Sequence, residues 1–305
     1  MDKPKQTFLA LIVAAACGIS PALHADGKGP LTGFVVLGQT GIGEQIALAR
    51  VVIDKANADC PALEPVDGNG DRQPMTARRN PDPDNHFKVT VCEARYPMDG
   101  TRMAIHGSSL RLPPVPARVS RVAVFGDTGC KPKDQNGCKK DKDWPFPEMA
   151  DAGADSSPDL LVHMGDYNYR GTPGKIKIKR GKGKAGKVRV YDAGDNTPSI
   201  SCRLSGPYYG QNSVGSETAD SWKAWKDDFF KPAQNLLPAA PWVFARGNHE
   251  LCSRAGPGWF YFLDPGSDLI KGSKQLSCPP AENKEPLIFR APYRVIVDPN
   301  FKTVV

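Results

Sequence analysis

Residues 159–169 have the sequence DLLVHMGDYNY, in which a short apolar run is followed directly by Gly165 and Asp166. Short runs of this kind that end at a glycine are typical of buried β-strands. Two other stretches repeat the order: RVAVFGDTG at 121–129 and PWVFARGNHE at 241–250. In open α/β sheets, polar residues at the carboxyl ends of parallel strands meet at one edge, where the functional site lies. The three stretches therefore predict a parallel sheet with a site at one edge.

The segment between the second and third stretches carries a helical pattern of aromatic residues. Four aromatic residues within 217–237 have the spacing of one helix face: Trp222, Trp225, Phe229 and Phe230. We interpret them as core residues that pack a helix against the sheet. Helices that alternate with strands predict an α/β domain over residues 119–305.

Residues 26–118 follow a different pattern. Short runs rich in Val, Ile and Leu are separated by Gly, Pro and Asp clusters, which is typical of antiparallel β-structure. The sequence LPPVP at 112–116 interrupts regular structure and reads as a linker. We therefore predict a small all-β, sandwich-like domain with a linker over 26–118. A chain of 305 residues is long enough for two domains.

The first 25 residues have the layout of a secretory signal peptide. Lys3 and Lys5 precede an apolar run at 8–17, and small residues follow up to Ala25. The apolar run is too short to cross a bilayer as a helix, and no longer apolar run occurs elsewhere in the sequence. We expect an exported protein, periplasmic or secreted, without a membrane span.

Export places the cysteines in an oxidising compartment, where cysteine pairs are more often structural than catalytic. With Cys17 removed as part of the signal peptide, proximity along the chain favours three disulfides among the remaining seven cysteines and leaves Cys202 over: Cys60–Cys92, Cys130–Cys138 and Cys252–Cys278. Spacing alone does not fix the connectivity.

The formal net charge of +7 is concentrated in one insert at 171–190. This insert holds eight basic residues and no acidic residue, so it accounts for the whole excess of positive charge. It is either a solvated loop or a device that steers phosphorylated or polyanionic substrates. The candidate steering residues are Lys175, Lys177, Lys179 and Arg180. No aromatic residue lies within the basic run at 175–184 to stack on bases, so we expect no dedicated nucleic-acid-binding module.

Oxygen donors dominate the polar residues after the three strands. Asp127, Asp166, Tyr169 and Asn248 offer carboxylate, phenol and amide oxygens, which suit divalent and trivalent metal ions. A glycine beside these donors lets the backbone approach a bound ion or phosphate closely. A single Gly-Asp pair after a strand is more often a turn. The three motifs together predict a metal site.

These motifs, at 126–129, 165–169 and 247–250, resemble those of the calcineurin-like metallophosphoesterases and of their purple acid phosphatase-like exported bacterial branch. The sequence Asp-Thr-Gly at 127–129 matches the variant that lacks the common histidine ligand. Tyr169, three residues after Asp166, matches the variant in which a tyrosine binds the same metal. These two departures from the commonest pattern agree with each other. The resemblance covers residues 119–270 and implies an α/β metallophosphoesterase sandwich.

The resemblance also implies a dinuclear metal site. Asp127 and Tyr169 would bind the first metal, Asp166 would bridge both metals, and Asn248 would bind the second. A tyrosinate ligand favours Fe(III), so the implied pair is Fe(III) with Zn, Mn or Fe(II). A metal-bound hydroxide would attack phosphoesters, monoesters foremost. The catalytic residue His249 would stabilise the transition state or protonate the leaving alkoxide.

Glu250 and the positions of the histidines also bear on the predicted phosphoesterase domain. Glu250 would orient His249. His163 lies inside an apolar strand and is expected to be a core residue. The family uses further histidine ligands after this motif, yet none of the five histidines of this chain follows His249. The resemblance therefore predicts a phosphoesterase domain that is incomplete at its C-terminus.

Two alternatives to an active phosphoesterase remain open at this point. One is a catalytically impaired exported domain that binds anions and keeps part of the metal site. The other is a polyanion-adhesion protein that acts through residues 175–189. The sequence indicates neither the natural substrate nor the oligomeric state.

Overall fold

The computed structural model describes residues 30–68, 70–84, 86–130, 144–169, 176–178, 189–191, 220–252, 254–278, 292–298 and 301–304. The predicted signal peptide at 1–25 and most of the basic insert lie outside these residues. No helix within the described ranges is long and apolar enough to cross a membrane.

The described residues form fourteen strands and three α-helices. The strands are β1 (Pro30–Gln39), β2 (Gln45–Ile53), β3 (Ala62–Pro65), β4 (Gln73–Pro74), β5 (Thr76–Ala77), β6 (Thr90–Arg95), β7 (Met103–Ile105), β8 (Val122–Phe125), β9 (Leu160–His163), β10 (Ile176–Ile178), β11 (Arg189–Tyr191), β12 (Trp242–Phe244), β13 (Arg294–Asp298) and β14 (Phe301–Val304). The helices are α1 (Phe146–Asp155), α2 (Trp222–Trp225), which continues as a π-helical turn over Lys226–Phe230, and α3 (Gly256–Phe262). A 3₁₀ turn spans Asn248–Glu250.

A seven-stranded mixed sheet with the order β5-β6-β2-β1-β12-β9-β8 lies at the centre. Strands β8, β9 and β12 pair in parallel, as the sequence predicts. Their carboxyl ends therefore meet at one edge of the sheet. The three motifs follow these strands directly, so the sheet brings them to the same place.

The N-terminal strands belong to this same sheet. Strands β1, β2, β6 and β5 pair antiparallel, as predicted, but β1 also pairs in parallel with β12, with Val36 opposite Trp242. The predicted boundary at residue 118 therefore does not coincide with a boundary of the sheet. The reason is that β1 is buried on both faces, with Phe34 in one core and Val35 in the other. A strand of that kind is stable in the interior of a large sheet.

Each face of the sheet has its own hydrophobic core. One core holds the four aromatic residues of the predicted helix, all buried, which confirms their interpretation as packing residues: Trp222, Trp225, Phe229 and Phe230. Each such burial stabilises the fold by about 1.5–3 kcal/mol. The second core joins β9 and β12 to the small sheet β4-β3-β7 through residues such as Leu160, Val243 and Leu63.

Strand β8 is less buried than its apolar sequence suggests. Val122 is 49% exposed and Val124 is 61% exposed. The physical reason is position, because β8 is the last strand of the sheet among the described residues and pairs with β9 alone there.

Two of the predicted disulfides are present. Cys60 is bonded to Cys92, and Cys252 is bonded to Cys278. Cys130 is also disulfide-bonded, while Cys138, its predicted partner, and Cys202 lie outside the described residues. By loop-closure entropy, each of the two disulfides stabilises the fold by about 3–4 kcal/mol.

Two antiparallel hairpins complete the described structure. In the basic insert, β10 pairs with β11 and places Lys177 opposite Val190. Lys175, Lys179 and Arg180, the other predicted steering residues, lie outside the described residues. Near the end of the sequence, β13 pairs with β14.

Candidate metal centre

The loops after β8 and β9 are bonded to each other through their backbones. The N–H of Asp127 donates to the carbonyl of Gly165 at 3.1 Å, and the N–H of Gly129 donates to the carbonyl of Asp166 at 3.3 Å. These bonds hold the first two motifs side by side at the edge of the sheet.

Both predicted aspartate ligands lie on strained backbone. Asp127 has φ of 55° and Asp166 has φ of 65°, in the left-handed region that side chains other than glycine seldom adopt. Such a conformation costs about 1–3 kcal/mol per residue and persists where the surrounding structure enforces it. Strain at two neighbouring polar residues is typical of a functional site.

The hydroxyl of Tyr169 brings three of the predicted ligands together. It donates a short hydrogen bond to Asp127 Oδ1 and lies 3.3 Å from Asp166 Oδ2. Burial, followed by the two carboxylates, raises the pKa of Tyr169 above its usual value. A cation among these three oxygens would reverse that effect, because it favours the anionic phenolate.

The 3₁₀ turn after β12 supplies the third motif. The side chain of Asn248 is exposed, and the backbone N–H of His249 donates to Asp166 Oδ1 at 3.0 Å. The buried imidazole of His249 packs on the ring of Tyr169, with the ring centroids 3.9 Å apart. Its Nδ1 lies 3.2 Å from the carbonyl oxygen of Asn168. A carbonyl only accepts hydrogen bonds, so Nδ1 carries a proton.

Glu250 has partners that the sequence did not indicate. The expectation was that it orients the His249 ring, but its fully buried carboxylate accepts four backbone N–H groups. The donors are Asp166, Tyr167, Asn168 and Gly247. Burial, and then the charge of Asp166, raises the pKa of Glu250 to about 7. Three of the four donors lie more than 80 residues from Glu250 in the sequence, so no local signal could have revealed them.

Glycine is required at two positions of the motifs. A Cβ on Gly129 would lie 2.5 Å from Tyr169 Cδ2, and a Cβ on Gly247 would lie 2.0 Å from Asp166 Oδ1. Any side chain at these positions would displace a predicted ligand. The two glycines thus let the motifs pack directly against each other, while their predicted close approach to a bound ion or phosphate stays a prediction.

His163 is a buried residue of the sheet, as predicted, and it also contacts the first motif. The backbone N–H of Gly165 donates to His163 Nδ1 at 3.2 Å, so Nε2 carries the proton and donates to Thr128 Oγ1 at 2.8 Å. Burial lowers the pKa of His163 to about 3. The ring is therefore neutral and links the end of β9 to the loop after β8.

The converging donors suit one hard metal ion. Asp127, Asp166 and Tyr169 present carboxylate and phenol oxygens, which favour ions such as Fe(III), Mn(II) or Mg(II). Across the described ranges, no group of three or more His, Cys, Asp and Glu side chains is placed to hold a metal.

Two comparisons with known proteins bear on the family of this chain. A family model described as calcineurin-like phosphoesterase matches residues 120–292, which is more than half of the chain. A comparison with curated proteins found no match. The matched range contains Asp127, Asp166 and Asn248 with their motifs.

Proposed function

Because this chain belongs to the calcineurin-like phosphoesterases, we propose that it hydrolyses phosphoesters at the sheet edge where Asp127, Asp166 and Tyr169 meet. The observation that carries the proposal is the Tyr169 hydroxyl, which lies against both carboxylates. It supports the purple acid phosphatase-like assignment, because a tyrosine in this position compensates for the histidine that the first motif lacks.

The proposed ligand roles are those that the family resemblance implies, and the contacts of Tyr169 with Asp127 and Asp166 support them in part. Asp127 and Tyr169 would hold the first ion, and Asp166 would contribute to both ions. Asn248 would contribute to the second ion from the neighbouring turn. The proposed pair is Fe(III) with Zn, Mn or Fe(II). When bound, such ions supply an activated water and neutralise charge on the phosphoryl oxygens.

His249 is proposed as the group that handles the leaving-group proton. Its Nδ1–H donates to the carbonyl of Asn168, so Nε2 is the nitrogen that exchanges a proton with the leaving group. The packing of its ring on Tyr169 fixes the ring plane beside the proposed ligands. His249 thus has a defined tautomer and position before substrate arrives.

Phosphomonoesters are the proposed substrates, and the basic insert containing β10 and β11 would draw them in by long-range attraction that weakens with salt. The disulfides are compatible with an exported protein.

The test is metal content and hydrolysis measured on the same purified chain. We expect the chain supplied with iron and zinc to bind metal and to hydrolyse p-nitrophenyl phosphate faster than bis(p-nitrophenyl) phosphate. D166N should lose at least about 100-fold in activity, because it removes a shared ligand. D151N is the matched control, since Asp151 on α1 contacts Asn235 at the surface. Absence of both metal and hydrolysis from the unmodified chain would overturn the proposal.

The second candidate function is a catalytically impaired anion-binding domain. It is favoured by the absence, over the described ranges, of a larger His, Cys, Asp and Glu cluster. In that case the unmodified chain binds inorganic phosphate without turnover, and D166N leaves the phosphate affinity unchanged. If deleting residues 175–189 removed all phosphate binding, adhesion through the basic insert would be the better description.

A further inference from the structure

We propose that Glu250 is a positioning residue that sets the relative placement of the Asp166 and Asn248 loops. The proposal rests on the proposed metal site and assigns Glu250 no contact with metal or substrate. Its role is to make the ligand geometry of one loop depend on the other.

The first support is that one carboxylate oxygen of Glu250 bridges both loops. Oε2 accepts the N–H of Asp166 at 2.9 Å and the N–H of Gly247 at 3.2 Å. Oε1 accepts the N–H groups of Tyr167 at 2.8 Å and Asn168 at 3.2 Å. Three consecutive N–H groups of the Asp166 loop therefore converge on one buried anion.

The second support is a reciprocal bond in the opposite direction. Asp166 Oδ1 accepts the N–H of His249 at 3.0 Å, while the N–H of Asp166 donates to Glu250. Each loop thus donates a backbone N–H to a carboxylate of the other loop. With Oδ1 engaged in this way, Oδ2 is the oxygen of Asp166 that lies beside the Tyr169 hydroxyl.

The third support is the backbone conformation that Glu250 stabilises. Asp166 has φ of 65° and follows Gly165 with φ of 107°. Successive N–H groups in such a turn form a concave anion-binding nest. Here the anion is the side chain of Glu250, which offsets the strain at Asp166 and holds its carboxylate toward Tyr169.

The chemistry explains why this position needs a glutamate. A carboxylate has about four acceptor sites, which matches the four N–H donors. The amide of glutamine has one acceptor oxygen, and its NH₂ group would face backbone N–H groups instead of accepting from them. E250Q therefore leaves buried N–H groups without acceptors, although its shape is nearly unchanged.

Asp220 offers a matched control for this effect. Its carboxylate accepts the indole N–H of Trp225 at 2.6 Å and the backbone N–H of Gly258 at 2.9 Å, joining α2 to α3. D220N changes another carboxylate with multiple N–H donors into an amide, away from the three motifs. Both variants are expected to lower stability. A loss of Mn²⁺ affinity that occurs in E250Q and not in D220N therefore reports the positioning role of Glu250.

The experiment compares unmodified chain, E250Q and D220N under conditions where urea unfolding shows each to be folded. Mn²⁺ alone is the probe for calorimetric binding, and amide hydrogen exchange is measured without metal. We expect E250Q to weaken Mn²⁺ binding at least about 10-fold and D220N to leave it unchanged. Exchange at Asp166, Tyr167 and Asn168 should accelerate in E250Q and not in D220N.

Two results would overturn the positioning role. One is an E250Q variant that keeps both the Mn²⁺ affinity and the slow exchange of the unmodified chain. The other is an equal loss of Mn²⁺ affinity in E250Q and D220N. If the unmodified chain binds no Mn²⁺, the proposed metal site fails, and the exchange measurement alone decides the role of Glu250. Should E250Q not fold, E250D takes its place, because a side chain one methylene shorter cannot reach both loops.

Discussion

Arg78 and Glu93 form a buried ion pair in the N-terminal part of the sheet, where Arg78 also reaches the end of α3. The guanidinium of Arg78 also donates to the carbonyls of Phe260, Tyr261 and Gly266, each at 2.9 Å. The last carbonyls of a helix have no partner within the helix, so a cation there satisfies them. Arg78 thereby fixes the helix that follows the Asn248 motif.

Arg50 of β2 adds to the same cluster. Its guanidinium donates to the carbonyl of Phe262 at 2.8 Å and lies 3.5 Å from the carboxylate of Glu93. Burial, and then the charge of Arg78, lowers the pKa of Arg50 to about 9. Ser267 donates to the other oxygen of Glu93 at 2.6 Å. The carboxylate is therefore held by two arginines and a hydroxyl.

We expect R78M to destabilise the fold by about 3–5 kcal/mol, because it removes the closest cationic partner of the buried Glu93 and leaves helix carbonyls without their donor. Urea unfolding measures the loss. R95M is the control, since the pair between Arg95 and Glu44 is largely exposed and should contribute less than about 1 kcal/mol. Similar losses in the two variants would contradict the role given to Arg78.

Two glycines of one motif should respond differently to alanine. A Cβ on Gly129 would lie 2.5 Å from Tyr169 Cδ2, whereas a Cβ on Gly126 would meet Met164 Cβ at an ordinary 3.5 Å. G129A should therefore displace Tyr169 and weaken Mn²⁺ binding by about 10-fold or more. G126A should bind Mn²⁺ as the unmodified chain does. Calorimetry on both variants checks this, and equal affinities would show that the contact with Gly129 is not needed.

Two tyrosines in the Asp166 motif provide a second contrast. The Tyr169 hydroxyl contacts Asp127 and Asp166, while the Tyr167 hydroxyl donates to the carbonyl of Ala245 at 2.9 Å. Y169F should weaken Fe(III) binding at least about 10-fold with little change in stability. Y167F should cost about 0.5–1.5 kcal/mol of stability and leave metal binding unchanged. Metal content after dialysis, together with urea unfolding, distinguishes them; the reverse pattern would exclude Tyr169 as a ligand.

His163 should make the fold sensitive to acid. Its folded pKa is about 3, whereas an unfolded histidine has a pKa of about 6.5. Between these values the unfolded state binds more protons, so stability is lost as pH falls from 6.5 toward 3. Relative to H163Q, the unmodified chain should lose about 2 kcal/mol between pH 7 and pH 5.

Urea unfolding at both pH values, with chelator present, measures the His163 effect. Comparison with H163Q is needed because Glu250 and Asp220, whose pKa values are each raised to about 7, act in the opposite direction. Carboxyls with raised pKa values stabilise the fold below their unfolded pKa and lose that effect as pH rises through 7. Parallel pH dependences in the two proteins would mean that His163 is not buried in its neutral form.

Local sequence patterns determined the strands, the core aromatic residues and the three motifs. Each apolar run and the Gly-Asp or Gly-Asn pair that follows it lie within a few residues of one another. This local pattern was therefore enough to predict that β8, β9 and β12 are parallel strands. The convergence of Asp127, Asp166 and Tyr169 followed from the same rule, because parallel strands bring their carboxyl ends together. Proximity along the chain also gave the pairs Cys60–Cys92 and Cys252–Cys278 correctly.

The tertiary structure alone decided how distant segments share one sheet and one set of buried charges. Nothing near β1 in the sequence indicates that it pairs with β12, more than 200 residues away, since both are simply apolar. The partners of Glu250, and those that Arg78 has in and after α3, are likewise backbone groups, which are the same in every residue and leave no mark in the sequence. Buried charges need these partners because leaving water is costly, and only the folded chain determines which backbone groups are within reach.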